Sequence, residues 1–514
     1  MKLGRFAKLN KIYISRYIFI FLKWFSINRT FIIVLEIYSK TKWESNMRKW
    51  YFILLAGALT SVILAFVFDK TKANEEGSGD YLYVSPHGSD QSEGTKEKPF
   101  RTLAHASDEA GPGTTVMIRG GTYHETLVVK HSGADGKPIT FRNYENEKVV
   151  ISGESIADAK YETPLIHIHD KHDIAISGLT IQDLSVSSEE ATAMGIYVSG
   201  SSSHIAIKNN HVRDIKTTAD EGNAHGIAVY GSGSMKDIQI EDNTVEKLTL
   251  GASEAVVLNG NIDGFTISGN VVRNNNNIGI DLIGYEGTAD KNDYVRNGVV
   301  ENNTVYQNST YGNPAYGDDY SAGGIYVDGG HSIEIKKNTV YDNDIGIEAT
   351  SEHKGKYATA IQITDNKVYN NAYTGISIGG YDKKRGGTSN SLIARNIMYR
   401  NDTKGLYGGQ LLLQYDAKNN TIEKNILTAS DSRLFIGNDF TANEGNTVNH
   451  NVYHKEADQD GIWMWKKNEY DSFSSYRKAT NNDQQSIYAD PMYRDEESYD
   501  FTLDPDSPAR PVIE

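Results

Sequence analysis

Two acidic residues, Asp328 and Glu348, stand in short stretches, GGIYVDGGH (323–331) and IGIEATSEH (345–353), whose alternation of aliphatic with other residues is that of β-strands. Two carboxylates can break a glycosidic bond when one is kept protonated as acid and the other ionised as nucleophile or base, about 5–9.5 Å apart. Period two sends Ile280, Leu282, Ile325, Val327, Ile347, Ala349, Ile376 and Ile378 to one face. Asp281, Tyr326, Asp328, Glu348, Ser377 and Gln414 go to the other, which reads as solvent-facing. If 323–331 and 345–353 form neighbouring rungs, the backbones of Asp328 and Glu348 lie roughly 8 Å apart. Asp328 is assigned as nucleophile or base and Glu348 as acid, with the reverse left open. Asp281 is placed one coil earlier in the column of Glu348. Glu286, His331, Glu352, His353, Asp382, Lys383 and Arg385 follow just past the strand ends. Of these Glu286, His331, His353, Asp382, Lys383 and Arg385 join Asp281, Tyr326 and Tyr316 as expected substrate contacts. His225, three coils earlier, is set aside as too distant.

Such rungs need a repeat to align them. The pattern aliphatic, two residues, Asn, one residue, aliphatic or aromatic recurs from IKNNHV (207–212) to VNHNVY (448–453). Its asparagines are Asn210, Asn243, Asn270, Asn303, Asn338, Asn366, Asn396, Asn425 and Asn451, spaced by 26 to 35 residues. That variability excludes a helical repeat, and the expected fold is all-β: a single right-handed parallel β-helix with one coil per repeat. An inward Asn at one corner of each coil can pass amide hydrogen bonds along the stack, so these residues are read as structural. The step from Ile280 to Ile325 takes 45 residues because 284–297 and 308–324 are inserted around it. Long polar insertions on a regular solenoid form binding walls.

The ends of a solenoid must be covered. Residues 80–125 read as an amino-terminal cap with a helix from about Thr102 to Ala110 and the first coil, 126–485 as the β-helix, and 486–514 as an irregular carboxyl-terminal cap. Residues 47–73 read as an export signal, with Arg48 and Lys49 before the apolar run 51–68, and 1–46 as an extended start outside the fold. Export puts the protein outside the cytoplasm; an uncleaved run would anchor it to the cell envelope. The chain of 514 residues has no cysteine, which excludes disulfides, thiolate metal sites and cysteine nucleophiles. Its net charge of −15 argues against nucleic acid as a partner. A monomer is expected.

The segment 81–125 resembles the amino-terminal cap of secreted bacterial β-helix proteins of the pectate-lyase-like superfamily, and 486–509 is similar to their carboxyl-terminal cap. The resemblance implies carbohydrate-active enzymes. GGIYVDGG and DIGIEATSEH loosely resemble the nucleophile and acid motifs of β-helix β-xylosidases. The expected activity is therefore hydrolysis of a polysaccharide or oligosaccharide without a cofactor. A calcium-dependent lyase or epimerase is the rival, with the ion at Asp281, Asp318 and Asp319 and a base at Lys383 or Arg385. Against it, the Gly-Asp-Asp-Gly strand of β-helix pectate lyases is missing. A third reading is glycan binding without catalysis, through Tyr311, Tyr316, Tyr320, Trp463 and Trp465; packing in the cap is the plainer role for both tryptophans.

Overall fold

The repeat asparagines set the architecture. In the computed structural model, which describes residues 80–156, 161–456 and 460–513, all nine are buried at one corner of successive coils. The segments at 1–46 and 47–73 lie outside the described residues. Asn303 shows the geometry: its backbone N–H donates to Asn338 Oδ1 at 2.9 Å, and its Nδ2 donates to Asn338 Oδ1 at 3.0 Å and to the Ile267 carbonyl at 2.9 Å. The same bonds repeat from Asn210 to Asn425. The ladder ends where Asn451 donates to Ser486 Oγ and Asp483 Oδ1. The residue before each ladder asparagine adopts a left-handed backbone, as at Asp242, Asn302, Lys337 and Asp365, with φ between 55° and 59°. That conformation costs a non-glycine residue roughly 1–2 kcal/mol, and the buried amide bonds offset it.

Each coil contributes short parallel strands to three walls. The first wall runs through Val256–Ser268, Ile280–Ile283, Gly323–Asp328, Ile345–Thr350, Thr374–Ile378 and Leu411–Leu413. The second wall joins the first in a 27-stranded sheet, because strands such as Asn223–Glu241 and Val256–Ser268 turn the corner unbroken. The third wall is a separate 13-stranded sheet. Ile280, Leu282, Ile325, Val327, Ile347, Ala349, Ile376 and Ile378 all point into the core, as period two predicts. Parallel pairing aligns Ile280 with Ile325, Ile347 and Ile376, so the interior is a stack of aliphatic columns.

A second asparagine ladder lies five residues further along the coil. Asn275, Asn308, Asn343, Asn371 and Asn401 donate in turn to the next residue's Oδ1 and finally to Gln410 Oε1.

The amino-terminal end is covered by the helix Leu103–Glu109, which buries Leu103 and Ala106. Thr102 caps it by accepting from His105 N, and Glu125 accepts from the free N–H of Leu103. At the other end the helix Phe473–Thr480 closes the barrel, with Tyr476 stacked on Trp463 at 5.7 Å. Trp463 is fully buried there and offers no face to a sugar. The last segment, with Tyr493, Phe501 and Ala509, packs on Tyr369 and Tyr399 along the outside of the third wall.

Asn303→Ala removes the acceptor for Asn270 and the donor to Ile267, leaving buried polar groups unpaired. We expect a loss of about 2–4 kcal/mol in denaturant unfolding; a loss under about 0.5 kcal/mol would show that the ladder does not hold the coils.

Candidate active site

Three consecutive rungs of the first wall place Asp281, Tyr326 and Glu348 in one outward column, with Ser377 on the next rung. Asp281 is thus two rungs from Glu348, with Tyr326 between them, and not one coil away as expected. Asp328 pairs with Thr350, so it sits on the rung beside Glu348 and two residues further along. The backbones of the two acids are therefore roughly 8 Å apart by strand geometry.

The outer face of this wall is not open to solvent, which corrects the reading of these acids as solvent-facing. Asp281, Asp328 and Glu348 are only 2%, 3% and 6% exposed. The two insertions roof them. Both ends of 308–324 are tied to Asp344, whose carboxylate accepts from the backbone N–H groups of Thr310, Ser321 and Ala322 at 2.8–3.1 Å. Within this loop Asn313 reaches back to the carbonyls of Gly251 and Asn276, at 2.7 and 2.8 Å. Tyr316 bonds to Asn277 and lies in the field of Glu254, Asp281 and Glu352. The other insertion is folded around Asp293, which accepts from Gly287 N and Ala289 N, and Thr288 ties it to Asn259 at 2.7 Å.

Beneath the roof is an array of carboxylates. Asp328 accepts from Glu352 N at 2.6 Å, and Tyr326 donates its hydroxyl to Glu352 Oε1 at 3.2 Å. Glu348 Oε1 accepts from Gln414 Nε2 at 2.7 Å and from Ser377 Oγ at 3.2 Å. Gln414 also donates to Ser377, so the three side chains form a closed network. Burial drives the Asp328 carboxyl well above the ordinary carboxylate range, and the charges of Glu352 and Glu286 push the same way. Burial, followed by Glu254 and Asp328, does the same to Asp281. Glu348 rises to about 7, mainly through burial, with the donors Ser377 and Gln414 opposing the shift. Glu254 rises to about 8 through burial and the charge of Glu286.

His225 lies on the strand Asn223–Glu241, three rungs before that of Asp328. Its Nδ1 lies 3.0 Å from the Glu254 carbonyl oxygen, and Glu254 is in the electrostatic field of Asp328. Glu254 was missed because it precedes the strand, where a corner interrupts period two: Ala255 and Val256 both belong to the core.

Glu286, Asp328 and His353 bring one ligand atom each within 4.8 Å of one another, the one such group among the described residues. Two carboxylates and an imidazole suit a divalent cation. Asp281 beside them carries a buried Oδ1 with no hydrogen bond. Asp318 and Asp319 lie exposed in the 308–324 loop instead. His331 lies under the other insertion, 2.6 Å from the Tyr285 hydroxyl with its ring against Tyr294. Arg385 stands over the Tyr381 ring at 4.7 Å, in the field of Glu352. Asp382 accepts from Lys384 N within its own turn, and Lys383 is exposed there. The wall therefore assembles Asp281, Glu286, Tyr326, Asp328, Glu348, His353, Tyr316 and Arg385, and leaves His331, Asp382, Lys383, Asp318 and Asp319 at or beyond its edge.

Glu348 and Glu254 titrate higher in the folded protein than their ordinary 4.5. Their contribution to stability is therefore complete below about pH 4.5 and is lost as pH rises through about 7 and 8. Without divalent cations the protein should unfold at a higher denaturant concentration at acid than at alkaline pH, by on the order of a few kcal/mol. Glu348→Gln should flatten the fall near neutrality; an unchanged pH dependence in that variant would contradict the assignment.

Comparison with known proteins agrees with this architecture. Residues 82–314 match the family described as Pel9A-like, right handed beta helix region, and residues 323–490 match the right handed beta helix region family. The chain is 92% identical over 468 residues to the uncharacterized protein YwoF of Bacillus subtilis strain 168, covering 91% of this chain and all of YwoF. A shorter stretch of 77 residues is 42% identical to pectate lyase PEL9 of Emericella nidulans, covering 15% of this chain and 19% of that enzyme. Among solved structures, the GH136 lacto-N-biosidase of Eubacterium ramulus aligns with a TM-score of 0.48 at 12% identity, over 83% of this chain and 69% of that one. The A-module of the Azotobacter vinelandii mannuronan C-5 epimerase AlgE6 aligns with a TM-score of 0.48 at 14% identity, over 76% and 93%. With near-identity to the whole of YwoF and the two matches spanning its coils, the chain belongs to the right-handed β-helix family.

Proposed function

We propose that the protein is a glycoside hydrolase that cleaves a polysaccharide or oligosaccharide at the roofed first wall, using Asp328 and Glu348. The observation that carries this reading is that two buried carboxylates sit on adjacent rungs of one outward face, both with raised proton affinities. Asp328 is raised by burial and pressed by Glu352 and Glu286, while it accepts from Glu352 N at 2.6 Å. Glu348 has Glu352 as its charged neighbour and two donors on one oxygen. We assign Asp328 as the acid and Glu348, held by Gln414 and Ser377, as nucleophile or base, the reverse of the first assignment. In this mechanism Asp328 gives its proton to the glycosidic oxygen as the bond from that oxygen to the anomeric carbon breaks. The Glu348 carboxylate attacks that carbon, or takes a proton from the water that does. Gln414 and Ser377 hold the Glu348 carboxylate in place throughout.

The local match to a pectate lyase supports a polysaccharide as substrate class. The crowd of carboxylates disfavours an acidic sugar in the absence of a cation, which favours a neutral glycan. The export segment read at 47–73 puts the activity outside the cytoplasm under the same proposal.

One observation supports a second reading. A divalent cation held by Glu286 and Asp328, with His353 beside them, would neutralise an acidic sugar and make the site that of a lyase or epimerase, with Arg385 as base.

A screen of neutral and acidic polysaccharides decides between them. The hydrolase reading predicts new reducing ends without the ultraviolet absorbance of unsaturated ends, and turnover that survives a chelator. Loss of turnover in chelator together with that absorbance would replace it with the lyase. Asp328→Asn and Glu348→Gln should each lower turnover roughly 10²–10⁴-fold. The activity of the wild type should rise as pH increases through about 7, where Glu348 ionises; activity that only falls over that range would restore the original roles.

A further inference from the structure

Two polar atoms beneath the roof have no partner. Asp281 is 2% exposed, its Oδ1 makes no hydrogen bond, and its side chain points outward into the field of Asp328. His353 Nε2 is likewise buried without a hydrogen bond, 3.9 Å from Glu286 Oε1. Buried polar atoms are nearly always paired, so two orphans in one cluster call for a ligand.

Three neighbouring turns deliver the side chains at matched positions. Glu286 stands three residues after the strand Ile280–Ile283 and His353 three residues after Ile345–Thr350, with Asp328 at the end of the strand between them. Backbone bonds stitch these turns together: Gly284 N donates to the Asp328 carbonyl at 2.7 Å, and Gly329 N to the Thr350 carbonyl at 2.8 Å. Asp328 Oδ1 is itself held by Glu352 N at 2.6 Å. One ligand atom each from Glu286, Asp328 and His353 therefore falls within 4.8 Å of the others, a gap that side-chain rotation closes around an ion. Asp281, on the rung before Asp328 and two residues back, has its backbone roughly 8 Å from it. Its carboxylate is the fourth donor. Glu352 is engaged elsewhere, accepting from the Tyr326 and Tyr381 hydroxyls at 3.2 and 3.5 Å.

We propose that Asp281, Glu286, Asp328 and His353 bind one divalent ion of the zinc type, and that this ion switches off glycan cleavage by occupying the acid. The imidazole decides the class of ion: calcium and magnesium take oxygen ligands, whereas zinc takes nitrogen and oxygen together in sets of four. An ion on the Asp328 carboxylate sits where the proton for the glycosidic oxygen must be carried. The loaded protein is then the inactive form. The switch rests on the proposed hydrolase; binding of the ion does not.

Calorimetry separates the two. The full chain is stripped with a chelator, dialysed, and titrated with zinc chloride or calcium chloride. One equivalent of zinc is expected to bind at least about tenfold more tightly than calcium, and to be weakened about tenfold or more by Asp281→Asn and by His353→Ala. Zinc held elsewhere, as by His172 and His204 on either side of Asp173, persists in both variants and is subtracted. Asp281→Asn is isosteric and His353 is partly exposed, so both variants should keep the wild-type melting temperature; if one does not, the other decides. Calcium bound as tightly as zinc, or zinc binding that neither substitution weakens, overturns the site. On a glycan that the wild type cleaves, one equivalent of zinc should lower turnover at least about tenfold, and chelator should restore it. Turnover unchanged or raised by zinc overturns the switch. A wild type that cleaves no glycan yet holds this zinc removes the hydrolase reading and leaves the ion site standing.

Discussion

Coil-to-coil register is the constraint on which the rest depends. A one-residue slip between neighbouring rungs would send the Glu348 side chain into the aliphatic interior and an isoleucine out under the roof. Hydrophobic alternation resists that slip within each wall. At the corners, where alternation gives no guidance, the buried asparagines do the work. Each amide bonds to the backbone or the amide of the neighbouring coil, as Asn303 does with Asn338 and Ile267. The left-handed residue in front of each one is tolerated because those bonds are made without competition from water.

With register secured, the fold can support an arrangement that is unfavourable in itself. Asp281, Asp328 and Glu348 are nearly excluded from water, and neighbouring acids raise their proton affinities further. The insertions produce this burial, and a single buried carboxylate, Asp344, ties both ends of one of them to the barrel. Such local instability is the mark of a functional site on a rigid scaffold. Relief comes from protons, from a bound cation or from substrate, and the chemistry follows from which of these is present.

Much of this was legible in the residues themselves. The interval between asparagines identified the coil, period two oriented Ile325 and Val327, and pairing by analogy put Asp328 beside Glu348. Other parts were not. The burial of the acids depends on where 284–297 and 308–324 fold back, which no local pattern encodes. Glu254 precedes its strand at a corner, where alternation fails. The second ladder did leave a trace, an asparagine five residues after the first in NTVYQN (303–308) and NTVYDN (338–343), which the search for one repeat passed over. The raised proton affinity of Asp328 depends in part on through-space neighbours such as Glu286, brought in by a loop.

The absence of native cysteine permits a direct measurement of the rung order. Tyr326 and Glu348 are paired on adjacent strands, whereas Asp281 and Glu348 have Tyr326 between them. A chain with Tyr326→Cys and Glu348→Cys should oxidise to an intramolecular disulfide, since paired strands lie about 4.8 Å apart, within bonding reach. Asp281→Cys with Glu348→Cys, at roughly twice that spacing, should remain reduced. Bridging of the second pair but not the first would mean that the rungs stack in another order and that the acids do not meet as described.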